Sequence, residues 1–426
     1  MAAAPFGRYL DVLGKPSQDG EIVLGVSAAF SGPSRALGTE LYRGSMAYFS
    51  HVNENGGVNG RRITLKLLDD GYQPEPCVAN TLSLLQDDSV FLLFGYVGTP
   101  TVTRALPLLK RFRDRGVFLF FPFTGAEPQR EPPYGEFAFN LRASYRQETA
   151  GLVDSFVRHG LRRIAVFYQN DAYGRSGWAG VRAALSRYGG TIVGEATYRR
   201  GSRFSTGMRS QVEILRSSNP DAVICVGAYA ACAALARDAV DLGLRVPVAN
   251  LSFVGSENLL ELLQGGGGDP SEYSRFLVNS QVVPSYEDRA LPAVREYHEM
   301  MDLYDPPPPE VERITEGEPY TPFARSFVSL EGFLNARMII EILRLMGDDL
   351  DRSRLEEAVF AVNDYDLGVG EQVSFGAERR QGLQGIYYTV VDGDRFVPLE
   401  DWESKVAEWT ALREDPAGAP SDVEGQ

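Results

Sequence analysis

Histidine, cysteine and tryptophan each occur only three times in this chain of 426 residues, and those scarcities remove several function classes at once. The cysteines, Cys77, Cys225 and Cys232, form no CxxC pair, so no zinc site or disulfide framework is implied and buried free thiols are expected. The histidines, His51, His159 and His298, fall far apart, in predicted helices or at their ends, and read as packing or surface residues. No GxGxxG follows a strand, and Walker A, GxSxG and HExxH patterns are absent; Gly95 to Gly98 is only a GxxG of little specificity. No cofactor, metal or catalytic residue is therefore expected. Long apolar runs are missing too, so nothing could span a bilayer, and the start, MAAAPFGRYLDVLGKPSQDG, has no basic region followed by an apolar core. Basic residues are outnumbered, 42 Lys and Arg against 57 Asp and Glu, and the net charge of -15 argues against nucleic acid or anionic lipid as a main partner.

What the chain does have is length enough for two cores and a repeating strand and helix rhythm. Its organising stretch is DSVFLLFGYVGTPTVTRALPLLKRFRDRGVFLFFPFTGA, Asp88 to Ala126. Val90 to Phe94 and Val117 to Phe121 are short apolar runs of the kind that form buried strands, and Thr101 to Arg115 between them carries helical spacing. Before it, strands are predicted at Glu21 to Phe30 and Ile63 to Leu68, with helices near Gly38 to Asn53 and Glu75 to Gln86. NENGGVNGR supplies the sharp reversal after the first helix. A short strand, Phe137 to Leu141, is placed at a crossing between domains.

The same plan then starts again: helix Gln147 to His159, strand Arg163 to Tyr168, loop Gln169 to Ser176, helix Gly177 to Tyr188, and strand Thr191 to Tyr198. Strand Ala222 to Val226, loop Gly227 to Ala230, a helix to Leu242 and strand Val246 to Leu251 follow. VFLLFGYVGTPTVTRALPLL and AVICVGAYAACAALARDAVDLGL share a layout of strand, Gly plus aromatic, and helix. Parallel strands with helical crossovers predict an α/β fold of two doubly wound parallel-sheet lobes. Beyond Phe253 the rhythm loosens. Gly265 to Gly268 and Pro306 to Pro309 read as surface insertions, Phe276 to Val283 as a second crossing strand, and a long helix is expected over about Pro322 to Met346.

In an open parallel sheet, ligands bind at loops following the carboxyl ends of strands. Phe30 and Ser31, Tyr96, Gly98 and Thr99, and Phe123, Thr124 and Gly125 fall there in the first half; Asp171 and Tyr173, Ala228 and Tyr229, and Ser256 and Glu257 fall there in the second. Hydroxyls and backbone N-H groups at a helix start suit a carboxylate, an acid suits an ammonium, and the aromatics suit apolar walls. Thr99 before Pro100 also has the pattern of an N-cap with Pro at the first helical position, which would occupy its hydroxyl. Asp69 and Asp70 at a strand end read as turn formers.

The stretch from Ile22 to Cys77, together with PFTGAEP, NDAYG and FVGSEN, resembles the type I periplasmic substrate-binding proteins of the branched-chain amino acid (Leu/Ile/Val-binding) family. The resemblance covers about residues 20 to 395 and rests mostly on NENGGVNGR with the Asp69 and Asp70 pair. It implies the type I periplasmic binding protein fold: two α/β lobes joined by three crossing segments and closing on a small ligand like a hinge. The expected layout is a leader over 1-20, a first lobe over 21-140 plus about 283-385, a second over 141-282 plus about 386-409, and a disordered tail over 410-426. Carried onto this chain, the family's carboxylate and ammonium contacts fall at Thr99 and at Thr124 or Gly125. Tyr173 and Tyr229 stand at ligand-facing aromatic positions, and Glu257 at the acidic partner of the ammonium. Relatives carry a run of Ser and Thr where this chain has Gly98, Thr99 and Pro100. The implied function is a solute-binding protein that is no enzyme, capturing an amino acid or similar small polar molecule for the permease of an ABC importer. It is expected to act as a monomer, in the periplasm or outside the cell once an export signal is removed. The alternative is a small-molecule sensor of the same fold, receptor-associated, or cytoplasmic if Met1 is the native start.

Overall fold

The computed structural model describes residues 20–311 and 320–414; the expected leader before Gly20 and the tail from 415 to 426 lie outside the described residues. Two compact units are present, and the chain changes unit three times: after Ser144, after Val282 and after Gly385.

The first unit opens with β1 (Glu21–Ala28), α1 (Arg35–Glu54), β2 (Arg62–Asp69), α2 (Pro74–Gln86), β3 (Val90–Phe94), α3 (Thr99–Arg111), β4 (Leu119–Phe120) and β5 (Ala138–Phe139). Strand order is β2-β1-β3-β4-β5, parallel throughout, so every strand ends on the same edge of the sheet. Val90, Leu93 and Leu119 of this sheet share a buried cluster with Leu84, Leu85, Leu106 and Leu109 of the covering helices. The segment Phe137 to Leu141, expected at a crossing, contributes β5, the edge strand of this sheet.

The second unit follows with α4 (Tyr145–Arg158), β6 (Ile164–Gln169), α5 (Ala172–Ser186), β7 (Glu195–Tyr198), α6 (Arg209–Ser217), β8 (Ala222–Val226) and α7 (Tyr229–Asp241). After these come β9 (Val248–Asn250), α8 (Ser256–Gly265), the short α9 (Pro270–Ser274) and β10 (Leu277–Gln281). Two expected loops are shorter than their sequence implied. Asp171 accepts the Tyr173 N-H at 3.0 Å, so α5 begins inside the expected loop Gln169 to Ser176, and α7 likewise begins at Tyr229.

Returning to the first unit, the chain forms α10 (Pro292–Tyr304), α11 (Phe327–Leu345), α12 (Leu355–Phe360) and the hairpin of β11 (Tyr365–Asp366) and β12 (Gln372–Val373). Helices α1 and α11 pack backbone to backbone. A Cβ on Gly44 would lie 1.7 Å from the Ser329 carbonyl oxygen, and one on Gly332 would lie 2.1 Å from that of Leu41, so only glycine fits either place. The Ser45 hydroxyl uses this proximity to donate to the Gly332 carbonyl at 2.9 Å. Helix α11 starts at Phe327 rather than near Pro322, because Ser326 caps it in a box with Ser329. The residues before it are held by a buried ion pair. Glu40 accepts from Arg43, the Tyr320 hydroxyl and the Phe323 N-H, while Arg43 also donates to the Pro306 carbonyl at 2.6 Å and pairs with Asp305 at 3.0 Å. The proline run is thereby anchored at its first member.

The chain ends in the second unit with β13 (Tyr387–Asp392), β14 (Arg395–Pro398) and α13 (Trp402–Glu414). Order in this sheet is β14-β13-β10-β9-β8-β6-β7; the strands from β10 to β7 are parallel, as expected of a doubly wound lobe, and β13, antiparallel to β10 and to β14, extends the sheet at one edge. A tail expected from residue 410 is helical to Glu414. Its apolar stripe is thin, and packing supplies what periodicity lacks: Val406 and Trp409 are buried, and the Trp409 indole donates to the Arg275 carbonyl at 3.0 Å.

Candidate functional site

In the first unit, the loops after β1, β2, β3 and β4 are tied together at the carboxyl edge. Asp69, the last residue of β2, accepts the N-H groups of Phe30 at 2.9 Å, Ser31 at 3.2 Å and Gly71 at 2.9 Å, and its other oxygen accepts the Ser31 hydroxyl. Asp70 beside it accepts from the Ser27 hydroxyl at 2.8 Å and the Tyr72 N-H at 2.9 Å. Both acids therefore shape the turn. Burial, opposed by those hydrogen bonds, pushes the Asp70 carboxyl up to about 7.

The loops after β3 and β4 continue the sheet's ladder past the strand ends. Phe123 N-H donates to the Tyr96 carbonyl at 2.7 Å, and Gly98 N-H donates to the Phe123 carbonyl at 3.1 Å. This register sets Thr99 opposite Thr124, whose hydroxyl oxygens are 2.6 Å apart. The N-cap of α3 is Gly98, not Thr99; Pro100 takes the second helical position, and the Thr99 hydroxyl makes no capping bond. Gly98 is required here. Its φ of +99° is rare for L residues, and a Cβ would lie 2.1 Å from the Tyr72 ring.

Tyr96 leaves the candidate set. Alternation along the extended loop turns its ring into the core with Cys77, Leu84 and Val102, and Thr81 donates to its hydroxyl at 3.2 Å. Phe30, Phe123, Thr124 and Gly125 are buried at the loop edge, and Ser31 is half-buried. The structure adds residues with little sequence signal. Arg142 lies 4.7 Å over the Phe123 ring and pairs with Glu331 at 3.4 Å, and Gln129 donates to the Thr124 carbonyl at 3.0 Å. The one hint was an arginine that, with Asn140, interrupts the mostly apolar run FAFNLRA.

In the second unit, Tyr173 is buried between Tyr145 and Phe253, with ring centroids 5.1 and 4.8 Å away. Its hydroxyl reaches the Gly227 carbonyl at 3.5 Å, which brings the β6 and β8 loops together beside Tyr229, the first residue of α7. Asp171 pairs with Arg200 at 3.0 Å, joining the β7 end to the same edge. Glu257, half-buried, occupies the first turn of α8, directly after Ser256, whose hydroxyl accepts from Asn279 at 2.9 Å and Gln281 at 2.8 Å. The loop before it is fixed by buried Glu148, which accepts from the Ser252 N-H at 2.8 Å, the Ser252 hydroxyl at 3.0 Å and the Ser280 hydroxyl at 2.6 Å. Tyr145, Arg200 and Glu148 escaped sequence reading because each lies inside a helix or a turn without a motif of its own, and Phe253 opens FVGSEN without having been read as a site residue.

Parallel α/β units with polar and aromatic residues gathered at the carboxyl edge define a ligand-binding class of protein. The Periplasmic binding protein family matches residues 21–395, and the chain belongs to that family, one of binding proteins rather than enzymes. A possible leucine/isoleucine/valine-binding protein from Rhodopirellula baltica is 30% identical, with a TM-score of 0.79 over 92% of this chain and 99% of that one. A substrate-binding periplasmic protein from Ralstonia solanacearum is 26% identical, with a TM-score of 0.76 over 89% of this chain and 100% of its own. Among curated relatives, Leu/Ile/Val-binding protein homolog 3 of Brucella melitensis is 25% identical over 54% of this chain and 60% of its own length. The chain matches about three fifths of the length of its Brucella melitensis, Pseudomonas aeruginosa and Rhizobium johnstonii relatives, from 58% to 63%.

Proposed function

We propose that the protein is a periplasmic or extracellular solute-binding protein that captures an amino acid or a similar small polar organic molecule and delivers it to the permease of an ABC importer. The observation that carries this reading is the Thr99 and Thr124 hydroxyl pair, 2.6 Å apart, at the start of a helix on the carboxyl edge of the first unit. Two hydroxyls and the adjoining helix N-terminus suit a carboxylate. The second unit offers complementary groups: an acid, Glu257, for an ammonium, and Tyr173 and Tyr229 for an apolar side chain. Leu/Ile/Val-binding proteins among the relatives support an amino acid ligand.

A thermal-shift screen of the protein against amino acids, amides and aromatic acids tests the proposal, since a ligand that binds only the folded state raises Tm. An amino acid that raises Tm and gives saturable heat in calorimetry supports it. A broad panel without a single shift rejects it.

A further inference from the structure

At the opposite end of the second unit's parallel strands, before β8 and β9, lies a groove of about 440 Å³ whose wall, among the described residues, holds three arginines, Arg216, Arg245 and Arg413, and no acid. Three separate elements bring them there: the last turn of α6, the turn before β9, and the C-terminal helix α13. In a chain of net charge -15, these three arginines gather beside a carboxylate, Asp221.

The floor of the groove is tied by hydrogen bonds. Arg163 donates to the Asn219 carbonyl at 2.8 Å and to the Ser218 carbonyl at 2.7 Å, fixing the turn at Asn219 and Pro220. Asp221, the carboxylate beside the groove, is already engaged: one oxygen accepts the N-H groups of Arg162 and Arg163 at 2.9 Å each, and the other lies 3.5 Å from Arg413. Arg216 uses one nitrogen on the Leu242 carbonyl at 2.8 Å. Arg413 also donates from its other terminal nitrogen to the Asn219 side chain at 3.2 Å. A guanidinium carries five N-H donors in a planar fork, so Arg216 and Arg413 each keep further N-H groups for an oxyanion.

We propose that this groove is a second binding site, for a phosphate oxyanion carried by a soluble phosphate compound or by an anionic lipid headgroup. It lies within one unit and away from Tyr173, Tyr229 and Glu257, so its test does not depend on the solute-binding reading.

The whole chain is titrated with sodium pyrophosphate by calorimetry against sodium chloride of matched ionic strength. In parallel it is sedimented with phosphatidylcholine vesicles with and without phosphatidylglycerol. Saturable binding is expected in at least one arm, weakened about tenfold or more in the Arg216→Gln/Arg413→Gln double variant. The single variant Arg413→Gln keeps the Arg216 bond to Leu242 and guards against loss of fold. Binding to pyrophosphate alone assigns a soluble phosphate compound; binding to phosphatidylglycerol vesicles alone assigns the headgroup. No binding in either arm, or binding unchanged in folded variants, overturns the proposal.

Discussion

The Thr99 and Thr124 hydroxyl oxygens lie 2.6 Å apart, joining the loop after β3 to the loop after β4. Thr99→Val removes one of the two and leaves Thr124 its contact from the Ala126 N-H at 3.3 Å. Affinity for a carboxylate-bearing ligand should fall about tenfold or more, while Tm changes little, because a single hydrogen bond contributes only about 1 kcal/mol to stability. Calorimetry and a melting curve on the same variant separate the two effects; unchanged affinity removes the pair from the site.

Glu257→Ala is the matching test in the second unit. Amino acid binding should weaken about tenfold or more, with the fold intact, since the side chain is only half-buried and a charge-assisted contact to an ammonium contributes roughly 1.5–3 kcal/mol. A ligand without an ammonium, such as a 2-oxo acid, should not be weakened by the change.

Arg43 and Glu40 are both buried and hold the chain near Pro306 and Phe323 to α1. Arg43→Met strands the Glu40 carboxylate and should cost about 3–5 kcal/mol, whereas Glu40→Gln with Arg43→Met should recover part of that loss. Urea midpoints at pH 7 check the order.

Asp70 predicts a pH dependence. Its carboxyl sits at about 7 in the folded protein against an ordinary 3.8, so the folded state binds the extra proton between those values. The contribution is present in full below the ordinary value and is lost as pH rises through about 7, a difference on the order of 4 kcal/mol. Asp70→Asn should flatten the fall in stability from pH 4 to pH 8, read as the difference between the two proteins' urea midpoints. Parallel curves would show that Asp70 is not the group responsible.

Gly98→Ala combines a strained φ of +99° with a clash against the Tyr72 ring. A loss of about 2 kcal/mol or more in stability is expected, together with weaker ligand binding, as the loop that carries Thr99 shifts. A melting temperature equal to the parent's would contradict the geometry.

Much of the chain's organisation was legible before any coordinates. The run VFLLF is β3 at its expected limits, AVICV is β8, and the reversal after α1 falls at NENGGVNGR, because apolar runs and Gly or Asn turns are local signals. Loop residues were less legible. Asp171 looked like a loop residue and is a cap; Tyr96 looked like a ligand wall and is core, since the direction of a side chain at a strand end depends on how far the ladder continues. Helix α13 hid behind its two buried residues, Val406 and Trp409.

The sequence by itself determined the α/β class, the order of most strands and helices, and the family, because these depend on local periodicity and on motifs read along the chain. Only the tertiary structure decided which loop groups meet. Thr99 reaches Thr124 because parallel pairing carries past the ends of β3 and β4, and Arg142 lies over Phe123 in the first unit, while Arg216 gathers with Arg413 because a C-terminal helix returns to the second unit. Such meetings are set by register and packing between segments far apart in sequence.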